Sequence, residues 1–305
     1  MPNFKQLKKK MKYVASYVIP FHYYNRMRVF GFDEELGIKR SISEKLKIVF
    51  SDSEIVIPFM DMDITTFCNL RCKRCAKCIP YFDKHRHFTA AQIAESLGLL
   101  TKYVDKIYVA SILGGEPFLN PELAEILKVC AQNTKIEHLE ITTNASIEPT
   151  DEQLRIIRDF NIDVHISDYR SISDTYKQAK DRFVKRLEEY GIKYEYQFHD
   201  IWLDFGEIEK HEYTDKQLHR MYVHCPMNSC AVFNDNKLYK CGHTSYLSQH
   251  GMVEDGDDVI DLKKVRSRRE MKARIRKFYS VKYAAACQYC LSHPAAIPAG
   301  EQLEV

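Results

Sequence analysis

The sequence predicts an α/β fold in which a parallel sheet curls into a full or partial barrel, followed by a short cysteine-rich region. Three observations carry this. From Phe59 onward, strand-like runs alternate with helix-like runs, the pattern of right-handed βαβ units. The motifs with chemical potential fall at the ends of the strand-like runs, where such a sheet gathers its active site. After Glu212 the alternation stops, and a hairpin and a C-x2-C pair take over.

Residues 1–57 form a first region. Phe4, Leu7, Met11, Val14 and Val18 recur at helical spacing opposite Lys8, Lys9, Lys10 and Lys12. That pattern suits a cap over the main domain, and it also suits peripheral contact with an anionic membrane surface. Residues 58–212 form the barrel region. Its strand-like runs are Met60–Thr66, Lys106–Leu113, Glu137–Thr143, Asp163–Ser167 and Lys193–Phe198. Helix-like runs lie near 89–102, 121–133, 150–159 and 171–190. Residues 213–305 form the third region. Ala231-Val-Phe, Asn234-Asp-Asn and Lys237-Leu-Tyr-Lys read as a hairpin. A basic helix is expected near 262–279, whose arginines suit either a solvated face or a phosphorylated ligand.

Composition narrows the function. The 305-residue chain is 45% hydrophobic, enough for a sizeable core, and its 11 Gly and 10 Pro argue against long flexible linkers. A net charge of +3 does not support a dedicated nucleic-acid binder. Ten cysteines with no secretory signal point to a reducing cytoplasm and to metal rather than disulfides. No apolar run is long enough to predict a transmembrane helix.

Cys68, Cys72 and Cys75 make a C-x3-C-x2-C loop just after Ile64-Thr65-Thr66. Three thiolates on one loop can each take one iron of a cubane, and a cubane closed by protein needs four. One iron would stay open to an outside molecule. Leu113-Gly114-Gly115-Glu116-Pro117 closes the second strand-like run. Glycines permit close backbone approach, and the Glu116 carboxylate can accept hydrogen bonds from an ammonium group.

These two motifs resemble the signature of the radical S-adenosylmethionine superfamily. The resemblance implies a partial (β/α)6-type barrel, a 4Fe-4S cluster on Cys68, Cys72 and Cys75, and S-adenosylmethionine on the open iron. It implies cofactor contacts at Gly114, Gly115 and Glu116. It further implies contacts at Thr143 and Asn144, which end the third run, and at Ser167, which ends the fourth. It covers roughly residues 58–200. Two positions depart from the pattern: Arg74 stands where an aromatic residue is common, and Ala145 replaces a glycine. Cys78 is read as a thiol that does not ligate.

Five cysteines follow the barrel: Cys225, Cys230, Cys241, Cys287 and Cys290. Cys130, on a helix-like run, reads as a buried apolar residue. Two ligands around a hairpin plus a C-x2-C pair give four thiolates, which satisfy a zinc ion or a cubane. The arrangement resembles the twitch domain, the short form of the SPASM domain. That resemblance implies a small C-terminal auxiliary cluster domain with Cys225, Cys241, Cys287 and Cys290 as ligands, Cys230 being spare. Two 4Fe-4S clusters are therefore expected in all.

His199 and Tyr169, at the rim of the fifth and fourth runs, are the candidate catalytic pocket residues. The first functional reading is an oxidoreductase that cleaves S-adenosylmethionine reductively and takes hydrogen from a small polar metabolite, such as a sugar or cyclitol. Its partners are a small-molecule substrate and a one-electron reductant such as flavodoxin or ferredoxin. A second reading is a peptide maturase that crosslinks or epimerises residues. A third is a non-catalytic iron–sulfur or zinc protein.

Overall fold

The computed structural model describes residues 26–27, 30, 39–50, 53–169, 172–198, 201–228 and 230–303. The lysine-rich N-terminal helix expected near residues 4–18 lies outside the described residues.

A short helix, α1 (Ile42–Phe50), precedes the sheet. Five strands and four helices then alternate. They are β1 (Val56–Asp63), α2 (Ala90–Thr101), β2 (Lys106–Leu113), α3 (Leu123–Ala131), β3 (Ile136–Thr143), α4 (Asp151–Asp159), β4 (Asp163–Asp168), α5 (Asp174–Glu189) and β5 (Tyr194–Phe198). The sheet order β5-β4-β3-β2-β1 is parallel throughout. This is the α/β sheet that the alternation predicts, curled as a partial barrel.

Helix starts follow their sequence signals. Thr89 caps α2 and Thr150 caps α4, each with a glutamine three residues on that reaches back to the cap, a complete capping box. α5 starts at Asp174, three residues later than expected, because Ser173 accepts the Tyr176 N–H and caps it there. β1 ends at Asp63, three residues early. Thr65 and Thr66 leave the sheet to meet the chain at Arg86 and His87 instead.

The C-terminal region does not stand apart from this sheet. β6 (Ile201–Leu203) and helix α6 (Asp215–His224) lead to the hairpin β7 (Val232–Asn234) and β8 (Lys237–Tyr239). β7 lies parallel to β1, with Asp61 opposite Val232, so the hairpin supplies the sixth parallel strand. β8 and β9 (Val259–Asp261) continue the sheet antiparallel. Asp235 and Asn236 turn the hairpin at positive φ, as the Asn-Asp-Asn run predicts.

Helix α7 (Gly242–Gln249) starts at Cys241, whose sulfur accepts the Thr244 N–H. The basic helix is shorter than expected: α8 spans Arg268–Phe278, because Ser267 caps it and 262–264 forms a separate turn. Arg268 is committed to Asp105 and to the Ser53 and Tyr103 carbonyls. β10 (Ala296–Pro298) pairs antiparallel with β6 over the C-terminal ends of the barrel strands. The core lies between the sheet and its helices and includes Met60, Met62, Ile107, Ala110, Ile141, Leu154 and Phe183. No helix among the described residues is long and apolar enough to cross a membrane.

Two glycines make opposite predictions. A Cβ on Gly242 would overlap the Ala76 carbonyl, a backbone atom that cannot swing aside. Gly242→Ala should therefore lower stability by about 2 kcal/mol. Gly98 in α2 has open space around its Cβ position, so Gly98→Ala should raise stability by about 0.5–1 kcal/mol. Urea denaturation of the two variants checks both signs.

Candidate active site

The cysteine loop leaves β1 and returns across the top of the sheet. Its shape is held from the neighbouring β2 loop. Ile64 N–H donates to the Leu113 carbonyl, Gly115 N–H to Thr65 and Glu116 N–H to Phe67. A Cβ on Gly114 would overlap the Thr65 carbonyl, and Gly114 also sits at φ +133°. A Cβ on Gly115 would overlap the Phe67 carbonyl and crowd Cys68. The paired glycines therefore let two loops touch backbone to backbone.

One cavity of about 570 Å³ opens at these strand ends. Cys68, Cys72 and Cys75 line it together with Gly114, Gly115, Thr143, Asn144, Ser167 and Tyr169. Ile201, Trp202, Leu203, Phe205, Pro226 and Met227 form an apolar roof. Tyr169 meets Trp202 edge to face, with ring centroids 5.4 Å apart. His199 lies outside the described residues. Asn144 also ties the loops together, donating to Asn69 Oδ1 at 3.2 Å.

Glu116 is anchored by donors from the chain itself. It is not among the residues lining the cavity. Its buried carboxylate accepts from Thr143 Oγ1 at 2.7 Å, Asn144 N–H at 2.9 Å and Phe118 N–H at 3.1 Å. It fixes the ends of β2 and β3 to each other. Burial pushes its pKa up to about 7 despite those three donors. The backbone of Gly114 and Gly115 is what faces the cavity.

A buried ionic group escaped the sequence reading. Lys77 Nζ lies 2.9 Å from both Asp61 and Asp63, and it lines the same cavity. Burial opposes the Lys77 ammonium, but the two carboxylates more than offset this and hold its pKa above the ordinary value. Burial also raises the Asp61 carboxyl. The available signal was Asp61 and Asp63 alternating with Met60 and Met62 in β1. A charged residue at every second place of an otherwise apolar strand marks a polar inner face. That face continues through Ser111 and Thr142, 3.2 Å apart, and through Glu140 and His165, 3.3 Å apart.

The later cysteines gather in a second place. Cys225, Cys241, Cys287 and Cys290 line one small cavity, with Tyr222, Lys240 and Ala76 beside them. Cys230 is not among its lining residues. Cys78 is fully buried, and burial together with the neighbouring Cys75 and Cys241 pushes its thiol well up.

Residues 62–204 match the family model of the radical SAM superfamily. The matched segment is just under half of the chain. Over 102 residues the chain is 28% identical to GTP 3',8-cyclase of Limosilactobacillus fermentum. This match covers 32% of the chain and 30% of that relative, less than a third of its length. Among solved structures, the chain is similar to BtrN in complex with AdoMet and 2-DOIA. There the identity is 13% and the TM-score 0.41, over 76% of this chain and 92% of that one. It is also similar to Streptococcus suis SuiB bound to S-adenosylmethionine. The identity is 18% and the TM-score 0.37, over 55% of this chain and 44% of that one. At this distance neither structure speaks to the reaction.

The donor set suits the implied cofactors. Three thiols share one cavity with a turn whose glycines bring backbone to its wall. Burial pushes the Cys72 thiol up to about 11, so iron binding there has to displace the thiol proton. Among the described residues, no three His, Cys, Asp or Glu side chains stand close enough to share a single ion. A cubane asks instead for one thiolate on each iron.

Glu116 makes stability depend on pH. Its folded pKa, about 7, exceeds its ordinary 4.5. Its contribution is therefore fully present below pH 4.5 and is lost as pH rises through 7. The loss is on the order of 3 kcal/mol. Glu116→Gln should be less stable at low pH and should flatten the fall in melting temperature over this window. An equal slope in both proteins would contradict the assignment.

Proposed function

We propose that the chain is a radical S-adenosylmethionine oxidoreductase acting on a small polar metabolite of the sugar or cyclitol type. One observation carries the reading. Cys68, Cys72, Cys75, the Gly114–Gly115 turn, Asn144 and Ser167 share one roofed cavity above a polar inner sheet face. In this reading the three thiolates hold the first 4Fe-4S cluster. The peptide groups of Gly114 and Gly115, with Thr143, Asn144 and Ser167, hold the amino, carboxylate and ribose groups of S-adenosylmethionine. Glu116 supports that surface from behind by fixing Thr143 and Asn144. Bound together, cluster and S-adenosylmethionine supply an electron that cleaves the sulfonium and a carbon radical that removes a substrate hydrogen.

The chain's own residues then bind and orient the substrate. The roof of Trp202, Leu203 and Phe205 keeps water from the reacting centre. Tyr169 and His199 are the candidate pocket residues, and Lys77, held between Asp61 and Asp63, presents a fixed positive charge at the wall. Thr142 and Lys77 on the cavity wall match the hydroxyl groups of a polyol better than an apolar substrate. Cys225, Cys241, Cys287 and Cys290 are proposed to hold an auxiliary 4Fe-4S cluster. A cluster held by those four thiolates would take up one electron, which suits a two-electron oxidation begun by loss of a hydrogen atom. A flavodoxin or ferredoxin is the expected reductant.

The test is anaerobic. The reconstituted protein should hold about eight irons and release 5′-deoxyadenosine from S-adenosylmethionine and dithionite. Cys72→Ala should keep about four irons and release none. Sugars or cyclitols, supplied as a panel, should raise 5′-deoxyadenosine output where short peptides do not. Stimulation by peptides alone would sink the metabolite reading, and a fully loaded protein that makes no 5′-deoxyadenosine would sink the enzyme reading.

A further inference from the structure

The segment Gly300–Leu303 lies across the cysteine loop, far from it in sequence. Cys72 and Gln302 form an isolated antiparallel bridge. Lys73 N–H donates to the Glu301 carbonyl at 2.6 Å, and Leu303 N–H to the Arg71 carbonyl at 2.7 Å. Lys73 Nζ pairs with Glu301 at 2.7 Å. Gly300 stands at φ +72°, and a Cβ there would crowd the Tyr169 ring. The segment is thus seated against both the cysteine loop and the cavity wall.

At its centre the Gln302 side chain reaches the sulfur of Cys72. Its Nε2 donates to Cys72 Sγ at 3.2 Å and to the Gly300 carbonyl at 2.6 Å. Its Oε1 accepts the Arg71 N–H at 2.7 Å. These partners determine which way the amide points. Turned over, it would aim an N–H₂ at the Arg71 N–H and an oxygen at the Gly300 carbonyl, two repulsive contacts. The orientation that puts a donor on Cys72 is the one the backbone demands.

We infer that Gln302 is a positioning residue that sets the reduction potential of the first cluster by donating a hydrogen bond to the Cys72 sulfur. Hydrogen bonds to cluster sulfurs shift the potential. A donor stabilises the reduced cluster more than the oxidised one, because the reduced form carries one more negative charge. Gln302 therefore eases reduction by a physiological one-electron donor. The same amide holds the cysteine loop down through Arg71, so potential and loop geometry are governed from one side chain.

The inference rests on the reading of Cys72 as an iron ligand. Iron content and 5′-deoxyadenosine release by the wild-type protein test that reading separately, so the two can fail apart. The decisive measurement is a potentiometric titration followed by electron paramagnetic resonance, tracking the signal that changes when S-adenosylmethionine is added. Gln302→Leu removes the donor. Gln302→Glu keeps the acceptor for Arg71 but removes the donor and adds negative charge. Both should retain iron. The oxidised-to-reduced ratio at fixed potential should rise about tenfold in Gln302→Leu, which is 59 mV for a one-electron couple. Gln302→Glu should shift further in the same direction. An unchanged midpoint in both variants overturns the inference. Loss of iron from both also overturns it, since the amide would then be part of the scaffold that holds the cluster.

Discussion

The cysteine loop keeps its shape because it lies backbone against backbone on the turn after β2. Thr65 and Phe67 carbonyls receive the Gly115 and Glu116 N–H groups, with no room for a side chain between. Every other part of the site refers to this contact. Glu116 follows the glycines and turns its carboxylate inward, where it pins Thr143 and Asn144 at the end of β3. Asn144 reaches back to Asn69 in the cysteine loop. Three strand ends are locked together by hydrogen bonds, with the Gly114 and Gly115 peptides exposed at the cavity wall. Backbone held so tightly gives a preorganised polar surface.

A second constraint links this loop to the C-terminal region. Lys77, two residues past Cys75, pairs with Asp61 and Asp63 on β1, and Asn234 on β7 donates to Asp63 at 3.3 Å. Gly242 presses on Ala76 from the other side. Removing one partner of such a buried pair costs roughly 3–5 kcal/mol, because the other charge is left alone. The two groups of cysteines are therefore set at a fixed relation by packing and charge, with the buried Cys78 between Cys75 and Cys241.

Much of the barrel was legible in the sequence because periodicity and caps are local. The runs Lys106–Leu113 and Asp163–Ser167 fall on β2 and β4 almost residue for residue. The Thr-x-x-Gln boxes mark α2 and α4. Of the five later cysteines, the resemblance to the twitch domain implied Cys225, Cys241, Cys287 and Cys290 as a set, and these four line one cavity. Long-range pairing was not legible. Nothing in Ala231-Val-Phe reveals that β7 extends the main sheet beside β1 rather than starting a separate one. The partners of Glu116 were not legible for the same reason, since its three donors come from Phe118, Thr143 and Asn144 and two of these sit on another strand end.

By itself the sequence determined the chemistry available: three thiols on one loop, a Gly-Gly-Glu-Pro turn at a strand end, and five further cysteines beyond the barrel. Those are properties of residue type and separation, which the chain carries before it folds. Only the tertiary structure decided how they face one another. It tied Glu116 to Thr143 and Asn144, placed Lys77 at the cavity wall between two aspartates, lined that cavity with Trp202 and Phe205, and laid Gln302 on Cys72 from 230 residues away. Each of those depends on contacts between distant segments, and such contacts arise from the packing of the whole sheet rather than from any local pattern.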